Sequence, residues 1–165
     1  TFYQFVPYQY GPYSFTLAQE ADSLIRNGFL EKGINNSWNL TLLGKELDIS
    51  LPKTVTQDIQ NIATKYGKLS GQELIDRIYD RYSWFAVNSD FPGRNQEKRP
   101  IAEKAIYTAG YEGKTVDEFL NLLLESGILC LVDVRHNPIS RRYGFHKSTL
   151  MRLCNFLKID YQHLP

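Results

Sequence analysis

The chain has no apolar run approaching the ~20 residues that cross a bilayer, so no membrane-spanning helix is expected. It opens on aromatic and polar residues, and nothing there resembles a signal peptide. Cysteine is scarce. Cys130 lies in an apolar run and Cys154 in a helical stretch, so both are expected to be small buried hydrophobes, not a disulfide. The expected compartment is the cytoplasm. No Walker loop, glycine-rich dinucleotide fingerprint or Ser/His/Asp elbow occurs. His136, His146 and His163 lack the regular spacing of a zinc site, and neither cysteine is close to them. No metal and no cofactor is therefore expected. No internal repeat is present.

What remains is globular material. Of 165 residues, 42% are hydrophobic and 22% charged, enough for one ordinary domain or two small ones. The net charge is only +1, but it is unevenly spread. Acids slightly outnumber bases up to Asp90. From Asp133 onward, Arg135, Arg141, Arg142, Lys147, Arg152 and Lys158 face only Asp133 and Asp160. A local excess of one sign matters more for partners than the total does.

The first residues carry Phe2, Tyr3, Phe5, Tyr8, Tyr10 and Tyr13 around a Gly11-Pro12 turn. Such ring density suits a packed cluster. A stacking surface for bases is the alternative, less favoured because no Arg or Lys occurs before Arg26. Residues 14–28 place Leu17, Ala18, Ala21, Leu24 and Ile25 on one helical face, closed by Gly28. A turn-rich stretch and residues 38–43 then predict a short two-stranded ribbon with Asn35 to Ser37 at its tip. Two more helices are predicted over residues 54–66 and 70–85, with Thr54/Gln57 and Ser70/Glu73 as capping boxes. Together these elements predict an α+β, winged-helix-like N-terminal domain over residues 1–90.

Residues 91–104 are polar and broken by Pro92, Gly93 and Pro100, and are read as a linker. After them the pattern becomes strand (105–110), helix (115–126, boxed by Thr115 and Glu118), strand (128–134), helix (147–157) and strand (159–163). That order predicts an α/β domain over residues 105–165 with a parallel βαβαβ sheet and right-handed crossovers. Three strands are few for such a sheet. The chain begins at Thr1, not Met, and is expected to be clipped at both ends.

Residues 129–145, LCLVDVRHNPISRRYGF, concentrate the chemistry. An apolar strand running into charge, with a helix to follow, presents working side chains at a strand's C-terminal end. Loops after successive parallel strands open on the same edge, so Lys114, Arg135, Ser140, Arg141, Arg142 and Lys147 are expected to gather near two helix starts. Arginine forks and helix N-termini favour phosphate. The alternative is that Arg135 pairs with Glu112 or Asp133 while Arg141 and Arg142 simply meet solvent. Asp133 is a candidate catalytic acid/base or metal ligand, or an anchor for the following turn, and His163 a candidate proton carrier. The sequence does not decide whether there is catalysis.

From residue 106 to 165 the chain resembles the family called domain of unknown function 488, through YTAGYEGKTVDEFLNLL, LVDVRHNPISRRYGFHKSTL and IDYQHLP. Its members usually continue past HLP with further α/β elements. The family implies no settled activity. FVPYQYGPYSF, the helix after it and WNLTLLG are similar to a winged-helix module that precedes this domain in some bacterial proteins. LVDVR also resembles the strand end of rhodaneses, but neither cysteine matches their cradled thiolate, so sulfur transfer is disfavoured. The leading expectation is a nucleic-acid-associated bacterial protein with an anion site. The alternatives are an enzyme on a phosphate-bearing small molecule or nucleotide, and a module whose N-terminal domain binds a protein partner.

Overall fold

The computed structural model describes residues 2–34, 37–91, 93 and 98–164. In chain order the described elements are β1 (Val6–Tyr8), β2 (Gly11–Tyr13), α1 (Phe15–Arg26), β3 (Leu30–Lys32), β4 (Trp38–Leu40), α2 (Leu42–Lys45), α3 (Lys53–Tyr66), α4 (Gly71–Arg81), a 3-10 turn (Ser83–Ala86), α5 (Val116–Glu125), β5 (Cys130–Asp133), α6 (Lys147–Phe156) and β6 (Asp160–His163). The chain is mixed α/β, with small two-stranded sheets of which β5/β6 is parallel. It divides into two compact units, Leu17–Arg77 and Thr1–Thr16 with Ile78–Pro165. The expected domain over residues 1–90 is therefore shared between the two units.

Within Leu17–Arg77, β3 and β4 pair antiparallel with Leu30 opposite Leu40 and Lys32 opposite Trp38. Gly33 N donates to Ser37 O at 2.9 Å and narrows the ribbon toward its end. Asn35 and Asn36 of the expected tip lie outside the described residues. The expected box at α4 is present: Ser70 N donates to Glu73 at 2.7 Å, and Glu73 N to Ser70 Oγ at 3.2 Å. The expected box at α3 is not. That helix starts at Lys53 with Pro52 as its N-cap, so Thr54 already lies inside the first turn and has no cap amide to serve. The helix expected over residues 70–85 stops at Arg81, and the 3-10 turn follows.

The larger unit is built on α5 and α6. Thr115 and Glu118 form the expected capping box at α5. Val116, Phe119, Leu120, Leu123 and Leu124 of that helix are buried with Leu150, Leu153, Cys154 and Leu157. Tyr161 joins this cluster from β6, and Leu131 of β5 packs against it. The core therefore lies on one face of the sheet. The aromatic N-terminus packs in part: Tyr8 and Tyr13 join a ring cluster, as expected of such ring density, while Phe2 and Tyr10 stay exposed. Tyr8 and Phe15 rings lie 5.8 Å apart, and Tyr13 and Phe15 5.1 Å apart. Asn88 donates to Pro7 O at 3.1 Å, and Asp90 N to Gln9 O at 2.8 Å, tying the β1/β2 hairpin down.

Two polar anchors have no local sequence signature. Asp117 is fully buried and accepts from Phe15 N at 2.7 Å, Thr16 N at 2.9 Å and Ser14 Oγ at 3.3 Å. A carboxylate on free helix-start amides satisfies orphan donors and complements the helix dipole. Arg99 donates to Leu157 O at 2.9 Å, to Lys158 O at 3.2 Å and to Ile128 O. Burial holds its guanidinium pKa below the usual arginine value. Of the expected linker, residues 92 and 94–97 lie outside the described residues, while Arg99 is an anchor.

Two further expectations are corrected. Residues 105–110 are not a strand: they make no ladder hydrogen bond, and Ile106 is 98% exposed. A strand exists only against a partner edge, which alternation in one segment does not supply. Cys130 is exposed, not buried, because on β5 the side chains of Cys130 and Val132 point away from the face that α5 and α6 cover. Cys154 is buried as expected, and burial pushes its thiol pKa up to about 12.

Candidate functional site

β5 and β6 run parallel with Asp133 opposite His163, so both side chains stand at the C-terminal edge of the sheet. The alternation of β5 turns Asp133 toward the core face, where Tyr161 waits. Its carboxylate is saturated. Oδ1 accepts from Arg135 N at 3.2 Å and Arg135 Nε at 2.8 Å. Oδ2 accepts from Arg135 Nη2 at 2.6 Å and the Tyr161 hydroxyl at 2.6 Å. A carboxylate offers about four lone-pair sites, and all are taken.

Hydrogen bonding from Arg135, with Tyr161 adding to it, holds the Asp133 carboxyl well below the usual carboxylate range despite its burial. The same contact to Asp133 raises the Arg135 guanidinium pKa. Burial first, then the bond to Asp133, raises the Tyr161 phenol. Asp133 thus stays ionised with no free face. The bond from Arg135 N gives it the turn-anchoring role considered from sequence.

Arg135 is committed in turn. Nη1 donates to Phe145 O at 3.0 Å and reaches the Tyr111 hydroxyl at 3.5 Å. The guanidinium lies 5.2 Å from the Tyr111 ring centroid, and Tyr111 stacks on Phe145 at 4.5 Å. Tyr111 therefore joins the loop that begins there to the loop that follows β5. Asp133–Arg135 is a bracket that closes the loop between β5 and α6, from its first turn to Phe145.

His163 is held at both ring nitrogens. Nε2 is 2.9 Å from Arg135 O, and Nδ1 is 2.9 Å from Lys147 Nζ. A carbonyl only accepts and an ammonium only donates, so Nε2 carries the hydrogen and Nδ1 receives one from Lys147. Lys147 is the first residue of α6, and no side chain caps that helix. Ser140 Oγ accepts from Arg142 N at 3.1 Å and shapes the loop. The Arg142 guanidinium sits 5.7 Å from the Phe145 ring, and Arg141 is exposed. Among the described residues, Lys114, Arg141, Arg142 and Lys147 form no ion pair.

The structure brings together Asp133, Arg135, Lys147 and His163, four of the residues singled out from sequence. It adds the Phe145 carbonyl, the hydroxyl of Tyr161, a residue the sequence marks as core, and the ring of Tyr111, whose loop the sequence places near the one after β5. Tyr161 alternates inward in β6, and that pattern marks it as core without disclosing what its hydroxyl meets. Among the described residues no group of His, Cys, Asp and Glu is arranged to hold a metal, and no helix is long and apolar enough to cross a membrane.

Residues 115–165 match the family described as Domain of unknown function DUF488. The match covers the C-terminal segment of the chain alone. No curated protein and no solved structure matches the chain.

Proposed function

We propose that the C-terminal edge of the parallel sheet binds anions, and that through it the protein associates with the phosphates of nucleic acid. One observation carries the reading: Lys147 stands at a helix start that no side chain caps, its ammonium oriented by His163 at 2.9 Å, with no carboxylate to neutralise it among the described residues. A lysine there opposes the helix dipole, and an anion relieves the conflict. Arg141 and Arg142 on the preceding loop, and Lys114, supply further positive charge that forms no ion pair among the described residues. Arg135 belongs to the scaffold of this surface, since Asp133 already occupies its fork.

The helix, ribbon and helices of Leu17–Arg77 support a winged-helix-like reading of that unit. Its outward apolar residues on α3, Val55, Ile59 and Ile62, support a protein partner there in preference to DNA. Free Cys130 and Cys154 support a reducing compartment, the cytoplasm.

Fluorescence anisotropy with single-stranded DNA, duplex DNA and RNA oligonucleotides across a salt series tests the main reading. Binding is expected to weaken steeply with salt. Lys147→Ala should lower the slope of log K against log salt by about one charge, or ~0.7–0.9. The combined Arg141→Ala, Arg142→Ala variant should lower it further. Absence of binding at low salt, or slopes that these variants leave unchanged, refutes the proposal.

A further inference from the structure

α3 is a helix that little in its own unit supports. None of its 14 residues is buried, and all but Tyr66 are exposed. Isolated helices of ~12–15 residues are marginal in water even when rich in alanine. This helix has one alanine, and Thr54, Val55, Thr56, Ile59, Ile62 and Thr64 are β-branched. Such side chains lose rotamer freedom in a helix. No side chain caps its start. Neither Asp58 nor Lys65 forms an ion pair among the described residues. Local forces therefore do not hold α3, and most helical stability comes from packing an apolar face.

That face is narrow and regular. Val55, Ile59, Ile62 and Tyr66 follow one another at steps of four, three and four. This is the seam of a coiled coil, narrower than the stripe of a helix laid on a globular core. Val55, Ile59 and Ile62 are 40%, 52% and 60% exposed. Thr56 and Ala63 flank the seam on one side, and Asp58 and Lys65 on the other. A seam fits a helix with the same repeat, and α3 itself is one.

The flanks set the direction. Two copies of α3 packed antiparallel, about a two-fold axis midway between Ile59 and Ile62, set Ile59 against the partner's Ile62 and Val55 against the partner's Tyr66. In that arrangement like flanks meet. Asp58 comes opposite the partner's Lys65, and by symmetry Lys65 opposite the partner's Asp58. Thr56 and Ala63 meet on the other flank, where their small size lets the helices approach. Packed in parallel, Asp58 would meet the partner's Ala63 and find no base.

We propose that a second copy of this chain docks on the apolar face of α3, the two helices antiparallel and bridged on one flank by two Asp58–Lys65 pairs. This rests on the reading of that face as a protein contact, and it names the protein. At 1.5 Å per residue α3 is about 21 Å long, so the paired faces bury less than the ~1,200 Å² of a standard interface. The dimer is therefore reversible.

Sedimentation velocity on the whole chain, from about 1 µM to about 1 mM, tests it. A monomer–dimer equilibrium is expected within that span. Asp58→Lys and Lys65→Asp each set like charges face to face twice, and each should weaken self-association roughly tenfold. An equimolar mixture of the two variants should regain the parent's association, because each supplies the charge that the other lacks. Ile59→Glu should leave monomer alone. A chain that stays monomeric throughout overturns the proposal. Dimerisation that these variants leave unchanged also overturns it, because the interface then lies elsewhere, and so does a mixture that fails to regain association. Amide exchange of α3 at about 1 µM tells two failures apart. In a chain that never dimerises, fast exchange keeps the face for a different protein. Slow exchange there shows a helix that needs no partner, and the protein-contact reading then falls as well.

Discussion

Replacing Tyr161 with Phe removes one hydroxyl and nothing else. The ring stays in the core, so no cavity opens. What is lost is the 2.6 Å bond to Asp133 Oδ2. A hydrogen bond to a charged group contributes about 1.5–3 kcal/mol. Asp133 keeps its three bonds from Arg135, so the loss should not exceed that range. For a chain of this size about 1 kcal/mol moves the Tm by roughly 2–4 °C, which gives a fall of roughly 3–12 °C. The pH dependence is a second signature. Arg135 and Tyr161 together hold the Asp133 carboxyl below its unfolded value of about 3.9. A depressed carboxylate contributes stability that is full above the unfolded value and drains away as pH falls toward the folded one. Tyr161→Phe raises the folded value, so the variant stops losing stability at a higher pH than the parent does. Its cost is therefore constant near neutrality and shrinks at the acid end. Urea unfolding from neutral pH down to about pH 2 reads both effects. Tyr111→Phe is the control, because its hydroxyl is 3.5 Å from Arg135 and should matter little. A Tyr161→Phe cost within ~0.5 kcal/mol of zero, or one that does not shrink in acid, refutes the bracket.

Gly144→Ala should destabilise the larger unit by about 3 kcal/mol or more, because Gly144 has φ +87 and a Cβ there runs into Val116; thermal denaturation checks it. Arg99→Ala uncovers the carbonyls of Ile128, Leu157 and Lys158 together. It should cost about 2–4 kcal/mol and speed amide exchange at the C-terminal ends of α5 and α6.

How far the sequence carried the fold depends on how local each cause is. The boxes at α4 and α5 each use two residues three apart, and both are legible. The box expected at α3 failed for a local reason too: Pro52 accepts the cap position and starts the helix one residue early. Residues 105–110 show the limit. Their pattern suits a strand, but the ladder needs an edge, and no property of those six residues supplies one. Cys130 shows it again. Its place in an apolar run is local, while its exposure depends on which face of β5 the helices cover. Arg99 and Asp117 were invisible because their partners lie far along the chain, more than a hundred residues away for Asp117.

The candidate site divides along the same line. The sequence alone determined that a strand ends in charge, that a basic loop follows it, and that a helix starts at Lys147, because strand length, turn chemistry and helix starts are written in neighbouring residues. Only the tertiary structure decided what that charge does. Asp133 and Arg135 close on each other because β6 sets the Tyr161 hydroxyl across from Asp133 and the loop returns the Phe145 carbonyl to Arg135. Lys147 is left facing outward, steadied by His163. A lone pair can be filled only by what stands opposite it, and which groups stand opposite is settled when distant segments pack.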